Sequence, residues 1–168
     1  SPFSDLRPTS VHSALTQAAE AAVVDKLSTS QQAGPTAQIV LVEDNPADVL
    51  LLEKALRHHH IDYELTCYED GEQAIHAISQ QDFAVPDLII LDLNLPKREG
   101  FDVLRIVRSR PALVNVPVAI LTSSDAARDR HRAELQKIER YIHKPPGLEE
   151  FLEQVGQAVQ DLLAGRPK

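Results

Sequence analysis

The chain has 168 residues, of which 43% are hydrophobic and 25% charged, and carries a formal net charge of −8. That length supports one domain with a real core plus an appendage, and the acidic balance argues against a general nucleic-acid binder, which would present a basic footprint. A single cysteine, Cys67, excludes an internal disulfide framework, and no run approaches the ~18 apolar residues of a membrane span.

Residues 1–37 differ in composition from the rest, being rich in Ser, Thr, Ala and Gln and punctuated by Pro2, Pro8 and Pro35. They are read as an N-terminal leader. Val11, Leu15, Ala18, Ala22 and Val23 recur at helical spacing, which predicts a short amphipathic helix over residues 11–27 followed by a linker over 28–37. No basic segment followed by an apolar one opens the chain, so a cytoplasmic protein is expected.

From Gln38 the pattern changes to short apolar runs alternating with amphipathic stretches, predicting one domain over residues 38–165. Ile39-Val40-Leu41-Val42 reads as a buried strand by length and β-branching. Glu43-Asp44-Asn45-Pro46 follows at once: Asn45 is a good N-cap, Pro46 suits the first helical position, and Val49, Leu52 and Leu56 mark one face of a helix reaching His58. His58-His59-His60 invites a metal-binding reading, but it falls at that helix end before a strand and is expected to be a solvated loop. Residues 63–68 form the next strand, in which Cys67 alternates with Leu65 and is expected to be core or half-buried filler. Asp70-Gly71-Glu72-Gln73 resembles a capping box opening a second helix.

The third strand is the most telling. Leu88 to Leu91 is an unbroken apolar run, as a central parallel strand covered on both faces requires, and Asp92 stands where the run stops. A helix over residues 100–109 follows, with Val103, Leu104 and Val107 on its apolar side. Residues 117–121 predict a fourth strand ending in Thr122-Ser123-Ser124, then a polar helix over about 126–136. Its basic residues Arg128, Arg130 and Arg132 alternate with acids and read as a solvated face. Residues 140–143 predict a fifth strand ending at Lys144-Pro145-Pro146, and Leu148, Phe151, Leu152, Val155, Val159 and Leu162 the apolar stripe of a last helix.

Strict alternation of strand and helix implies a parallel sheet with helices on both faces, and right-handed crossovers bring every strand's carboxyl end to one edge. Glu43, Asp44, Asp92, Thr122, Ser123 and Lys144 therefore converge. Carboxylates gathered at one edge repel unless a cation sits among them, and a hard divalent cation such as Mg²⁺ suits oxygen ligands. With Lys144 to neutralise and Thr122 to donate, the site suits a phosphoryl group, and Asp92 at the centre would be the attacking group.

These residues resemble the hallmarks of response-regulator receiver domains, the chemotaxis-regulator fold of two-component signalling. The phrasing around ValGluAspAsnProAlaAsp and LeuThrSerSer, with the long loop of residues 110–116, is most similar to stand-alone regulators that partner bacterial phytochrome-type kinases. The resemblance implies a doubly wound, five-stranded α/β sheet in the flavodoxin-like order 2-1-3-4-5. It implies Asp92 as phosphoacceptor from a sensor histidine kinase or phosphotransfer protein, and Asp44, Glu43 and the backbone carbonyl of Asn94 as partners of Mg²⁺. Thr122 becomes the switch hydroxyl, Tyr141 the aromatic that moves with it, and Lys144 the phosphate-pairing lysine before a bond that is commonly cis in the family. Asn94 and Ser124 occupy the positions that tune dephosphorylation. Lys137-Ile138 stands where receivers usually have Gly-Ala, so the exit of the fourth helix is expected to depart from the family pattern. The implied output is contact with a downstream protein, or a homodimer through the fourth and fifth helices, without nucleic acid or membrane. A receiver-like adaptor that binds constitutively is the alternative. An aspartyl-nucleophile phosphatase is disfavoured, because its second acid would fall at Asn94.

Overall fold

The computed structural model describes residues 35–97 and 99–166. The expected leader helix and most of its linker lie outside that range. The elements are β1 (Ala37–Val42), α1 (Pro46–His58), β2 (Tyr63–Tyr68), α2 (Gly71–Ile78), β3 (Leu88–Leu91), α3 (Gly100–Ser109), a 3₁₀ turn (Pro111–Leu113), β4 (Val118–Thr122), α4 (Ala127–Leu135), β5 (Arg140–His143) and α5 (Leu148–Ala164). All strand pairings are parallel, in the order β2-β1-β3-β4-β5. Val42 pairs with Leu91, so β1 and β3 end level, and Leu91 pairs with Ile120, so β4 runs two residues further to Thr122.

Period-2 alternation divides the sheet into two apolar faces. Val40, Val42, Ile89, Leu91, Val118 and Ile120 pack with Ala74 and Ile78 of α2 and with Val103, Leu104 and Val107 of α3. Ile39, Leu41, Leu88, Ile90, Ala119 and Leu121 pack with Leu52 and Leu56 of α1 and with Phe151, Val155 and Val159 of α5. Because β3 is covered on both sides, all four of its residues are buried, which is why it reads as a continuous apolar run. Leu148, placed on the apolar stripe of α5 from its spacing, is exposed instead; Phe151, one turn on, is the first residue of the helix to reach the core.

Local chemistry sets the helix starts. The Asn45 side chain accepts from the Ala47 amide at 3.0 Å, and Pro46 occupies the first turn. The Asp70 carboxylate accepts from the Gln73 amide at 2.8 Å, while the Gln73 side chain takes the Glu69 amide at 3.2 Å, one residue earlier than a standard capping box would.

Three expectations need correction. Cys67 is exposed, because β2 is the edge strand and has no neighbour on one side; desolvation still pushes its thiol pKa up, away from nucleophilic character. Every peptide bond among the described residues is trans, Lys144–Pro145 included. An X-Pro bond prefers trans by only about 0.5–1 kcal/mol, so proline at that position does not dictate the isomer. The linker ends before residue 37, since the Ala37 amide already donates to the Asp62 carbonyl at 2.9 Å as β1 begins.

The exit of α4 takes a left-handed stop although no glycine stands there. Lys137 takes φ 60°, a left-handed conformation that glycine would adopt without strain. Arg108 of α3 holds this turn: its guanidinium donates to the carbonyls of Gln136 at 3.2 Å, Lys137 at 2.8 Å and Val116 at 2.9 Å. No helix among the described residues is long and apolar enough to cross a membrane.

Candidate functional site

The carboxyl ends of β1, β3 and β4 and the loop between β5 and α5 build the site. Asp92 is 5% exposed and Glu43 3%, so both carboxyl groups are withdrawn from bulk water. The Asp92 amide donates to the Val42 carbonyl at 3.0 Å, which extends the β1–β3 ladder one step and fixes where the carboxylate projects. Its Oδ1 accepts from the Asn94 amide at 3.1 Å, and its Oδ2 lies 3.2 Å from Lys144 Nζ. The Lys144 amide donates to the Thr122 carbonyl at 2.8 Å, tying the lysine to the end of β4.

Lys144 is shared among three acids. Its ammonium donates to Asp48 at 2.7 Å, Glu43 at 2.9 Å and Asp92 at 3.2 Å. Burial acts to lower its pKa, but the hydrogen bonds to Asp48 and Glu43 and the charge of Asp92 outweigh it and hold the pKa above the usual lysine range. Burial pushes the Glu43 carboxyl up to about 7, against the pull of Lys144 and with the help of the Asp92 charge. Glu43 also accepts from the Asn45 amide at 3.2 Å, so the same turn that caps α1 orients this acid.

Carboxylate oxygens of Glu43, Asp44 and Asp92 come within 4.8 Å of one another. Asp44 is the exposed member, facing the mouth of the site. Three oxygen donors with no nitrogen or sulfur fit a hard divalent cation. Thr122 is fully buried, and its Oγ1 accepts from the Ser124 amide at 3.2 Å. The Ser124 hydroxyl donates to Asp129 at 2.5 Å. Tyr141 donates through its hydroxyl to the Ser124 carbonyl at 2.8 Å, and the Arg130 guanidinium sits 4.5 Å over its ring. Thus Glu43, Asp44, Asp92 and Lys144 form one cluster, while Thr122, Ser124 and Tyr141 form an adjoining chain that runs from the end of β4 into α4.

Two site residues escaped the sequence reading. Asp48 makes the shortest contact to Lys144 from the first turn of α1. Gly100 opens α3 beneath Asp92: a Cβ there would meet the Asp92 carbonyl oxygen at 2.3 Å and Leu93 Cα at 2.7 Å. Nothing in its spacing signals that approach.

Residues 39–156 match the response regulator receiver domain family, and the chain belongs to it. It is therefore a receiver, the phosphorylation-dependent switch that sensor histidine kinases address. Among individual relatives, response regulator Rcp1 of Synechocystis is 35% identical over 130 residues, covering 75% of this chain and 88% of that protein. The Mn²⁺-bound structure of Rcp1 superposes with a TM-score of 0.72 at 33% identity, over 79% of this chain and 99% of that one. The phosphorylated cyanobacterial phytochrome response regulator RcpA gives a TM-score of 0.72 at 31% identity, over 79% and 98%. The receiver domain of the sensor histidine kinase PA1611 of Pseudomonas aeruginosa, with magnesium in its active-site cleft, gives 0.61 at 28% identity, over 78% and 100%. Divalent metal thus occupies receiver domains of this kind.

Proposed function

We propose that Asp92 is the phosphoacceptor of this receiver and that the domain spans residues 37–165, beginning with β1. The observation that carries the reading is the placement of Lys144 Nζ 3.2 Å from Asp92 Oδ2, within a cluster that also holds Glu43 and Asp44. In this scheme an Asp92 carboxylate oxygen attacks the phosphorus of a phosphohistidine. An O–P bond forms, the N–P bond breaks, and the imidazole nitrogen leaves with the electron pair. Glu43, Asp44, Asp92 and the Asn94 carbonyl would hold Mg²⁺, which supplies charge neutralisation for the transferring oxygens. Lys144 neutralises a further oxygen, and Thr122 donates its hydroxyl to the new phosphoryl group. The buried position of Asp92 limits access of water to the acyl phosphate, and Asn94 and Ser124 border the route by which water arrives.

The chain then acts as an acceptor that turns over slowly, and not as an enzyme acting on an external substrate. Its signal passes by protein contact, to a downstream target or between two copies through α4 and α5. The neighbourhood of Thr122, Ser124 and Tyr141 supports this, because it joins the site to α4 by hydrogen bonds. A cytoplasmic location belongs to the same reading. The test is Mg²⁺-dependent labelling by a small acyl-phosphate donor and by candidate sensor kinases. One phosphoryl group per chain is expected, lost in Asp92→Asn; labelling that persists in Asp92→Asn would overturn the assignment.

A further inference from the structure

His58 ends α1 and His59 caps it, and the two imidazoles do not share one environment. The His58 side chain is half exposed, whereas that of His59 is 9% exposed and folds against α5. Gly156 makes the space: a Cβ there would meet His59 Cδ2 at 2.0 Å and Nε2 at 2.7 Å. His59 Nε2 is buried and has no hydrogen-bond partner among the described residues. A buried ring nitrogen left unsatisfied is costly, so its orientation calls for an explanation.

The nitrogen points toward a second set of donors. Glu153 Oε2, on α5, lies 3.8 Å from His59 Nε2 and 3.5 Å from His58 Nε2. The two rings stand edge to face with centroids 5.3 Å apart, and the three donor atoms fall within 4.8 Å of one another. Metal–donor bonds of about 2.0–2.1 Å in tetrahedral array place donors roughly 3.4 Å apart, so the two separations to Glu153 close with shifts of a few tenths of an ångström, and the half-exposed His58 ring is free to turn to bring its nitrogen to that of His59. Two imidazole nitrogens and one carboxylate suit a borderline divalent metal of the zinc class, with water in the fourth position. Mg²⁺, which demands oxygen, is the wrong ion for this set.

We propose that His58, His59 and Glu153 form a zinc-class metal site that fastens the end of α1 to α5. It is separate from the acidic cluster: α1 is 13 residues long, which puts about 20 Å between the acid-bearing start of the helix and its histidine end. Occupancy would satisfy the buried His59 nitrogen and clamp the helix pair that covers one face of the sheet.

The test uses the full chain in saturating Mg²⁺, so that the acidic cluster is filled, titrated with Zn²⁺ by calorimetry and with Co²⁺ by absorption. One equivalent of Zn²⁺ and a tetrahedral Co²⁺ spectrum are expected. Glu153→Gln and His58→Gln, both at exposed side chains, should each weaken binding about tenfold or more, while His60→Gln leaves it unchanged. Acyl-phosphate labelling of Asp92 should be the same in all three. Absence of stoichiometric Zn²⁺ binding would reduce the cluster to a histidine–glutamate ion pair and overturn the proposal. Undiminished affinity in Glu153→Gln and His58→Gln would overturn it equally, by placing the metal elsewhere.

Discussion

Lys144 donates to Asp48 at 2.7 Å, closer than the 3.2 Å that separates it from Asp92. The contact nearest the ammonium is therefore to an acid outside the proposed phosphoacceptor and metal set. Asp48 is the more exposed of the two, with 22% of its side chain accessible against 7% for Asp92. Removing it leaves Lys144 with two partners and relieves repulsion among the acids. Asp48→Asn is expected to cost less than about 1 kcal/mol, in the range of a partly exposed ion pair. Lys144→Ala instead strands Glu43 and Asp92 as buried acids with no cation, and should cost about 3 kcal/mol. Urea unfolding in the presence of a chelator measures both, and added Mg²⁺ should restore part of the Lys144→Ala loss. Equal losses in the two variants would contradict this division of labour.

Gly100 makes the acceptor loop sensitive to a single methyl group. The nearest atoms to its hypothetical Cβ are the Asp92 carbonyl oxygen at 2.3 Å and Leu93 Cα at 2.7 Å, both backbone and unable to swing aside. The Gly100 amide also donates to the Leu93 carbonyl at 3.1 Å, which holds α3 against the loop. Gly100→Ala should destabilise the fold by about 1–3 kcal/mol through overpacking and slow acyl-phosphate labelling, because the Asp92 backbone must retreat. An alanine variant with wild-type stability and labelling rate would show that the helix can move away without disturbing the acceptor.

Such contacts mark the limit of what the sequence could reveal. The central strands were legible because parallel strands covered on both faces must be apolar throughout, and the residues ending those runs then had to share an edge. Cys67 was misjudged because alternation along β2 does not say that β2 is an edge strand. Asp48 was missed because a carboxylate in the first turn of a helix has an ordinary role beside the helix dipole. Its contact with a lysine 96 residues away is a tertiary fact. Lys137 was legible only as a departure; that Arg108 holds the left-handed turn could not be read from either residue.

That turn yields a prediction about stability alone. Lys137 adopts φ 60°, where a side chain costs about 1–2 kcal/mol relative to glycine, while glycine adds roughly 0.5–1 kcal/mol of backbone freedom to the unfolded chain. Lys137→Gly should therefore be neutral to stabilising by about 1 kcal/mol. Arg108→Ala releases the carbonyls of Gln136, Lys137 and Val116 together and should cost about 2 kcal/mol, since its hydrogen bonds are charge-assisted. Thermal unfolding checks both: Arg108→Ala should lower the midpoint, and Lys137→Gly should leave it unchanged or raise it. An unchanged midpoint in Arg108→Ala would mean that the turn is held by something other than Arg108.

Tyr141 is tied to the loop between β4 and α4 by one hydrogen bond, from its hydroxyl to the Ser124 carbonyl at 2.8 Å, and to α4 by Arg130, packed over its ring at 4.5 Å. Ser124 in turn donates its amide to Thr122 at 3.2 Å. If Thr122 turns toward a phosphoryl group, that amide loses its acceptor and the Tyr141 bond is weakened with it. The bond therefore favours the unphosphorylated arrangement. Tyr141→Phe removes it at about 1 kcal/mol, which shifts a two-state balance about fivefold toward the activated arrangement. Labelling of Asp92 should persist, since Tyr141 makes no hydrogen bond within the acidic cluster. In amide NMR spectra, resonances of Ser124 and α4 in unphosphorylated Tyr141→Phe should fall between those of the two wild-type states. A variant spectrum that coincides with unphosphorylated wild type would remove Tyr141 from the switch and leave its hydroxyl a purely local contact.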